Sequence, residues 1–373
     1  MALANQALAE PALHAWVTEQ LQAHPTLQLL GDIQLSPLSG DAGARTYYRV
    51  VGELAGSMVG GGAPIVLAVA APIDAGASDS AEGFSRLAQP LKQAGIEVPD
   101  IIAVDPANNW MLVESFGADS LLSQLKDDSV DILYGEALMS LLGWQQVTPG
   151  DLSDIALPSY DHAALASELS LFSVWFVEQL LGYSPNAKER QLLDDTFGFL
   201  IDQALAQPRV LVHRDYHSRN LMYRTGKPLG IIDFQDALWG PITYDVVSLL
   251  RDCYVRWSPE QVSRWALAYG NMAMDVGVLP VTSRQQYLRW FDTMGLQRHI
   301  KVLGVFARLW LRDGKARYLN DLPLVLRYTL DIAQNYSETR PLALWIRQQL
   351  LPLIKQQPWF KPLDSVGDRE VNV

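Results

Sequence analysis

The chain has 373 residues, of which 49% are hydrophobic and 19% are charged, so it is long and apolar enough for two lobes that each bury a core. The formal net charge of −12 speaks against nucleic acid or an anionic membrane surface as partner, because such partners select a basic face. A single cysteine, Cys253, excludes an intrachain disulfide, and no apolar run approaches the ~20 residues of a membrane span. The first residues also lack the cationic start of a secretory signal, so we expect a cytoplasmic protein.

The first third of the chain has the pattern of one helix followed by short strands. An amphipathic helix is expected from about Leu8 to Leu30, with Pro25 as a stop signal. A second helix is expected from Ser80 to Ala94, ending at Gly95. Runs rich in β-branched, aromatic and aliphatic residues predict five strands, at Ile33–Leu38, Thr46–Leu54, Ile65–Ala70, Ile101–Val104 and Met111–Glu114.

The remainder is mostly helical by its periodicity. The exception is Arg209 to Phe234, where short apolar strands flank a polar loop. A Rossmann protein would alternate strands and helices throughout, and this chain does not. The order therefore predicts an α+β fold, with a small sheet-rich N-lobe at residues 1–116 and a larger, mainly helical C-lobe at residues 117–373. The expected helices are Asp128–Gln145, Asp161–Leu181, Lys188–Ala206, Pro241–Val255, Pro259–Ala273 and Gln285–Arg312.

The polar loop between the predicted strands carries the residues with the clearest chemical meaning. The segments Val210–Met222 and Gly230–Asp236 place Asp215, Asn220 and Asp233 at neighbouring strand ends. Transfer of a phosphoryl group to a hydroxyl needs a carboxylate that orients the alcohol and accepts its proton. It also needs hard oxygen ligands that hold Mg²⁺ on the phosphates. The pattern therefore predicts Asp215 as the base and Asn220 and Asp233 as metal ligands.

His213-Arg214-Asp215, followed by an Asn five positions after the Asp and later by Asp233-Phe234, resembles the catalytic and metal-binding signature of kinases. His217 and the segment Trp239–Asp245 are similar to the aminoglycoside phosphotransferase/choline kinase superfamily rather than to protein kinases. This resemblance implies a bilobal protein-kinase-like fold and a small-molecule kinase that uses ATP and Mg²⁺.

Further segments, between about Ser39 and Tyr336, resemble one subgroup of that superfamily. The subgroup is the bacterial anomeric-sugar kinases of cell-wall recycling, which phosphorylate the C1 hydroxyl of N-acetylmuramate and N-acetylglucosamine. The resemblance implies a small sugar acceptor, and no feature of the sequence indicates an obligate protein partner. The segments are Leu157–Asp161, Glu168–Phe172, Trp175–Phe176, Ile232–Ala237, Ser248–Tyr254, Met294–Gly304 and Arg312–Lys315.

A glycine-rich turn between the first two predicted strands is the candidate phosphate-binding loop, although such a turn is more often only a hairpin. Most kinases also place a Lys on the third strand, whereas the first Lys of this chain is Lys92. We expect Arg45 to replace the missing Lys in part. The backbone around Glu114 and Phe116 has the position of the connector that binds adenine, or is an ordinary strand end. The turn consists of Ser39, Gly40, Asp41, Ala42 and Gly43.

Five further residues are candidates for acceptor binding, and each also has a structural interpretation. His217 either contacts the phosphoryl acceptor or bonds neighbouring loop groups. Gln235 and Asp236 follow the metal-binding Asp and are placed to bond sugar hydroxyls. Arg251 is suited to pair with the lactyl carboxylate of N-acetylmuramate, although a helical Arg-Asp pair is more often a salt bridge, and Glu168 lies on a predicted helix.

Two alternatives stay open at the level of the sequence. The first is an aminoglycoside, choline or homoserine kinase on the same fold. The second is a pseudokinase that binds a nucleotide without turnover. The missing Lys supports the pseudokinase, and the intact set of Asp215, Asn220 and Asp233 opposes it.

Overall fold

A computed structural model describes residues 2–38, 45–55, 66–72, 80–152 and 155–368. The chain forms two compact units, and each unit contains several stretches of sequence. The first unit comprises Met1–Lys126, Pro149–Ala156 and Arg219–Asp236; the second comprises Asp127–Thr148, Leu157–Ser218 and Ala237–Val373.

The predicted boundary between the N-lobe and the C-lobe is after residue 116. The division found here differs chiefly because residues 219–236 pack with the first unit. Backbone hydrogen bonds fasten this segment there. The N–H of Tyr223 donates to the carbonyl of Asp119 at 2.7 Å, and the N–H of Ile231 donates to the carbonyl of Glu97 at 2.7 Å.

The strands in the described ranges are short, and most lie before residue 115. They are β1 (Gln28–Leu29), β2 (Gln34–Leu38), β3 (Thr46–Val51), β4 (Leu54–Ala55), β5 (Val66–Ala70), β6 (Ile101–Asp105), β7 (Trp110–Glu114), β8 (Arg209–Val212), β9 (Leu221–Met222), β10 (Gly230–Ile231) and β11 (Leu238–Pro241).

The helices dominate the second unit, and α5 continues directly into a π-helical stretch at Phe172–Leu180. They are α1 (Ala2–Ala23), α2 (Ala81–Gln93), α3 (Leu121–Gln124), α4 (Val130–Gln146), α5 (His162–Leu171), α6 (Ala187–Leu205), α7 (Thr243–Leu250), α8 (Pro259–Asp275), α9 (Arg284–Leu311), α10 (Leu322–Ala333), α11 (Arg340–Trp345) and α12 (Leu351–Ile354).

The core of the first unit lies between α1 and a five-stranded antiparallel sheet of order β2-β3-β5-β7-β6. Side chains four residues apart on α1 form one apolar face, because that spacing returns to the same side of a helix. This face packs against buried side chains of the sheet and closes a single apolar cluster, so the expected α+β class is confirmed. The cluster includes Leu13, Val17 and Leu21 of α1 with Tyr48, Val50, Val66, Ala68 and Leu112 of the sheet.

The first helix ends earlier than expected. It stops at Ala23, because Pro25 disfavours a helical His24 and the His24 ring accepts backbone N–H groups from Thr26 and Leu27. The expected helical stretch after Pro25 is instead β1, which pairs with β4. The strand predicted at Thr46–Leu54 is likewise two strands, β3 and β4.

The helix expected from Pro241 to Val255 is also shorter than predicted. Residues 238–241 are extended and pair with β8, so α7 begins only at Thr243, whose hydroxyl donates to Gln207 at 2.7 Å. After α7 the carboxylate of Asp252 accepts the backbone N–H of Tyr254 at 3.1 Å, which holds the chain in a turn.

In the second unit α9 is the central helix and packs against α5, α6, α7, α8 and α10. Gly304 allows the closest approach. A Cβ at this position would lie 2.3 Å from the backbone carbonyl carbon of Leu171 and 2.5 Å from the backbone nitrogen of Phe172. These atoms belong to the junction of α5 with its π-helical extension, so only glycine fits between the two backbones.

We predict that Gly304→Ala lowers the free energy of unfolding by about 1–3 kcal/mol or more, because backbone atoms cannot yield as a side chain can. The matched control is Gly198→Ala in α6, where an added Cβ meets nothing within 4 Å. That control is expected to be neutral or stabilising, since Ala is the better helix former. Urea unfolding followed by tryptophan fluorescence measures both, and equal stability of the two variants would contradict the prediction.

Candidate active site

The hairpin of β9 and β10 brings together the two predicted metal ligands in the first unit. Its register pairs Ile231 with Leu221, and the next residue along, Ile232, donates its N–H to the carbonyl of Asn220 at 3.1 Å. Asn220 and Asp233 are therefore neighbours across the open end of the hairpin. The amide nitrogen of Asn220 lies 3.3 Å from Oδ2 of Asp233.

Asp233 has an unusual backbone for a residue with a side chain. Its φ of 64° lies in the left-handed region, which costs of order 1 kcal/mol or more for a residue other than glycine. Its carboxylate is exposed and accepts a hydrogen bond from the Gln235 amide at 2.8 Å. The Oε1 atom of Gln235 is buried without a hydrogen-bond partner, and Asp236 follows as a partly exposed residue.

Phe234 anchors this turn to helix α2 within the same unit. Its ring is fully buried and lies 4.6 Å from the ring of Phe84, centroid to centroid. The guanidinium of Arg45 in turn lies 5.2 Å from the Phe84 ring centroid. Arg45 is 7% exposed, so the cation that we expect to replace the missing Lys is a buried one.

The predicted connector also lies in the first unit, at the end of β7. Glu114 accepts the backbone N–H of Asp100 at 3.2 Å, and burial raises the pKa of Glu114. The Phe116 ring lies under the guanidinium of Arg224 at 4.3 Å and against the Cα of Gly230, where a Cβ would come within 2.2 Å of the ring. The predicted phosphate-binding residues Ser39, Gly40, Asp41, Ala42 and Gly43 lie outside the described residues.

Two buried carboxylates hold the loop that carries Asp215 in the second unit. Asp245 accepts the backbone N–H of His213 at 2.7 Å and that of Arg214 at 3.1 Å. Asp252 accepts the backbone N–H of Ser218 at 2.9 Å and also its hydroxyl. Burial raises the pKa of Asp245 to about 7, which the two backbone donors oppose.

This restraint allows a strained conformation at the base. Arg214 has a φ of 77°, again in the left-handed region, and it immediately precedes Asp215. The N–H of Asp215 donates to Nδ1 of His213 at 3.2 Å, and its carbonyl accepts the N–H of His217 at 2.9 Å. The backbone on both sides of the predicted base is therefore fixed by hydrogen bonds.

Several basic side chains act electrostatically on the carboxylate of Asp215. Burial raises its pKa, but His217 and Lys301 oppose burial and lower it. Arg298 and Arg214 lower the pKa further, so that it lies below its ordinary value. Asp215 is therefore ionised at neutral pH, as a group that orients an alcohol and accepts its proton must be.

Glu168 lies at the centre of the charge network beside this loop. Its carboxylate forms ion pairs with Arg214 at 2.7 Å and with Lys301 at 2.8 Å, and it accepts the hydroxyl of Tyr160. Burial raises the pKa of Glu168, but Lys301 and Arg214 outweigh burial and lower it. Lys301 also donates to the hydroxyl of Tyr244 at 3.0 Å.

Comparisons with known proteins identify the family of this chain. The family model described as the phosphotransferase enzyme family matches residues 34–279. The N-acetylmuramate/N-acetylglucosamine kinase of Pseudomonas putida is 36% identical over 86% of this chain and 90% of its own length. The kinase of the same name from Pseudomonas aeruginosa is 38% identical over 79% of this chain and 82% of its own.

The chain belongs to the phosphotransferase enzyme family. The solved GDP complex of aminoglycoside 2'-phosphotransferase-IIIa is similar in fold, with a TM-score of 0.56, 17% identity, and 86% and 98% of the two chains covered. The predicted protein-kinase-like fold and the resemblance to the aminoglycoside phosphotransferase superfamily are both confirmed. In the described part of the chain, no helix has both the length and the apolar content needed to cross a bilayer.

For a phosphotransferase, the predicted acceptor residues have unequal surroundings. The ring of His217 packs edge-on against that of Tyr254, and its Nδ1 is buried without a partner. Arg251 is engaged in an ion pair with Asp292 at 2.5 Å, as its structural interpretation expected. All the contacts of Glu168 described above are with protein groups, so its role in binding an acceptor stays a prediction.

Sequence reasoning had no candidate role for Arg298 and gave none to Lys301. Both lie on α9, where Gln297, Arg298 and Lys301 interrupt a largely buried face. Residues three and four positions apart fall on the same side of a helix, as Lys301 does relative to Arg298 and Gln297. That cluster within an otherwise apolar segment was the available signal, but a single sequence does not tell whether such a face meets a loop or another helix.

We predict that Glu168→Gln lowers the free energy of unfolding by about 2–4 kcal/mol, because it leaves two partly buried cations without their carboxylate. In the Glu168→Gln background, Lys301→Met should cost less than it does alone, with a coupling of about 1–3 kcal/mol. Urea unfolding of the two single variants and the double variant measures the cycle. Additive effects would show that the ion pair contributes no net stability.

Proposed function

We propose that this protein is a kinase that transfers the γ-phosphoryl group of ATP to the C1 hydroxyl of N-acetylmuramate and of N-acetylglucosamine. The observation that carries the proposal is the 36% identity to a kinase of that name over 90% of its length. The product is a sugar 1-phosphate, and peptidoglycan recycling in the cytoplasm is the process that supplies such sugars.

Asp215 acts as the base in this proposal. Its ionised carboxylate accepts a hydrogen bond from the C1 hydroxyl, orients the oxygen toward phosphorus and takes the proton as the new bond forms. The cations around Asp215 favour the ionised form, which supports this role. His217, Glu168, Gln235, Asp236 and Arg251 remain the candidates for contacts with the acceptor.

Asn220 and Asp233 would hold Mg²⁺, and the donor set fits that ion. Across the described residues, no group of three or more His, Cys, Asp or Glu side chains is placed to hold a metal. Magnesium is usually bound by one or two carboxylates together with waters and substrate phosphates, so an exposed carboxylate beside an amide meets its needs. When bound, Mg²⁺ neutralises charge that develops on the phosphates.

The nucleotide is assigned to the first unit. We propose that the Ser39–Gly43 turn binds the phosphates through backbone N–H groups, that Arg45 supplies the missing cation, and that the backbone between Glu114 and Phe116 contacts the adenine. The names of the relatives weigh against an aminoglycoside, choline or homoserine acceptor, and the surroundings of Asp215 weigh against a silent pseudokinase.

We predict that the protein releases ADP with Mg-ATP and either acetylated sugar, but not with kanamycin or choline. The methyl glycoside of N-acetylglucosamine has no free C1 hydroxyl, so it should not be phosphorylated. Asp215→Asn should lower kcat by about 10²–10⁴-fold while nucleotide binding persists, because it removes the base alone. Phosphorylation of the methyl glycoside would show that the reaction occurs at another hydroxyl. Activity with kanamycin or choline alone would contradict the proposed sugar substrate.

We predict that Asp233→Asn raises the Mg²⁺ concentration needed for half-maximal activity by at least about tenfold, because it removes the anionic ligand. The control is Asp128→Asn, which removes an exposed carboxylate before α4 and should leave the Mg²⁺ dependence unchanged. ADP release titrated with Mg²⁺ at fixed ATP measures the effect. The same Mg²⁺ concentration for half-maximal activity in both variants would show that Asp233 is not a metal ligand.

A further inference from the structure

Arg298 is a buried cation that lacks an ion pair within the described part of the chain. It is 4% exposed, and it forms no ion pair with any residue that the structure describes. The other cations near the catalytic loop each form an ion pair: Arg214 and Lys301 share Glu168, and Arg251 pairs with Asp292. Burying an unpaired charge is unfavourable, so a guanidinium that remains unpaired calls for an explanation.

The contacts that Arg298 does make supply no negative charge. Its Nη1 donates to the Cys253 sulfur at 3.7 Å, and its guanidinium lies 6.0 Å from the Tyr244 ring centroid. Burial raises the pKa of the Cys253 thiol to about 11, so the sulfur is neutral. The Nε atom of Arg298 is buried and has no hydrogen-bond partner, which leaves part of the planar donor fork unused.

The two carboxylates that act electrostatically on Arg298 already have other roles. Asp215 and Asp252 both interact electrostatically with Arg298, but neither forms an ion pair with it. The oxygens of Asp252 accept hydrogen bonds from Ser218 and Tyr254, and Asp215 is the proposed base. Arg298 therefore lies against Cys253, the neighbour in sequence of the Asp252 that holds the catalytic loop at Ser218, and it acts electrostatically on Asp215. Its Nε has a hydrogen bond to spare, which an anion of the acceptor would complete.

Arg251, the cation that the sequence suggested for this role, has different surroundings. Its guanidinium pairs with Asp292 and lies 4.4 Å from the Phe291 ring centroid. The second oxygen of Asp292 accepts the hydroxyl of Tyr336 at 2.7 Å. The charge of Arg251 is thus paired with a protein carboxylate, whereas that of Arg298 is not, although Nη1 of Arg251 is also buried without a hydrogen-bond partner.

We propose that Arg298 binds the carboxylate of an acceptor sugar that carries one, and so sets the preference between acidic and neutral sugars. The proposal rests on the function proposed above. N-acetylmuramate carries a lactyl carboxylate that N-acetylglucosamine lacks, so the neutral sugar is an internal control for folding and for phosphoryl transfer. A guanidinium suits this task, because its fork matches the two oxygens of a carboxylate.

The first test compares the two sugars in Arg298→Gln. We expect kcat/KM for N-acetylmuramate to fall about 10–100-fold more than that for N-acetylglucosamine, because any effect of Arg298 on Asp215 is common to both sugars. Arg298→Lys, which keeps the charge but loses the fork, should give an intermediate loss for the acid alone. Equal losses for both sugars would overturn the proposal and point to the phosphoryl group or Asp215, and an unchanged ratio would also overturn it.

The second test uses the unaltered protein and so does not depend on whether a variant folds. The carboxamide of N-acetylmuramate has the same shape but no charge, and it should be a substrate about 10–100-fold worse than the acid. Equal turnover of acid and amide would overturn the proposal. Loss of the acid preference in Arg251→Gln, with the preference retained in Arg298→Gln, would assign the role to Arg251. If the unaltered protein phosphorylates neither sugar, the proposed function itself fails.

Discussion

Two buried carboxylates fix the loop that carries Asp215, and the role proposed for this residue depends on that restraint. Asp245 holds the backbone at His213 and Arg214, and Asp252 holds it at Ser218. Between these points Arg214 adopts a left-handed conformation, which a loop without such acceptors would relax. Backbone N–H groups that bind a buried carboxylate are also satisfied, so the loop keeps its geometry without regular secondary structure.

The same region shows how a protein can gather cations without being basic overall. The chain has a net charge of −12, yet His217, Lys301, Arg298 and Arg214 all act on one carboxylate. Glu168 contributes to this arrangement, because its carboxylate forms ion pairs with both Lys301 and Arg214. The local field at Asp215 is thus set by a few neighbouring side chains, whereas the net charge mainly affects solubility and long-range association.

Much of the fold followed from the sequence, and the errors have physical causes. Strands β6 and β7 and helices α2 and α9 lie close to their predicted places, because periodicity and helix caps are local signals. The end of α1 and the start of α7 were misjudged, since strands β1 and β11 exist only through pairing with distant residues. Propensity over a short window contains no information about such partners.

The sequence likewise predicted some features of the candidate site and missed others. The kinase signature was sufficient to predict the family, because phosphoryl transfer dictates both the types and the spacing of its residues. The partners of Arg251 and Glu168 were not predictable, because Asp292, Lys301 and Tyr160 are far from them in sequence. A buried ion pair and a ligand-binding charge have the same appearance in a single sequence, and only the packing around them separates the two.

The hairpin of β9 and β10 has a consequence for how the chain emerges during synthesis. The first unit includes residues 219–236, whose N–H groups bind the carbonyls of Glu97 and Asp119. Those carbonyls have no such partner until the ribosome has added more than a hundred further residues. The segments of the second unit at residues 127–148 and 157–218 are made in the interval. The amino-terminal unit is therefore completed late in translation, and a fragment that ends after residue 116 would lack a piece of its own structure.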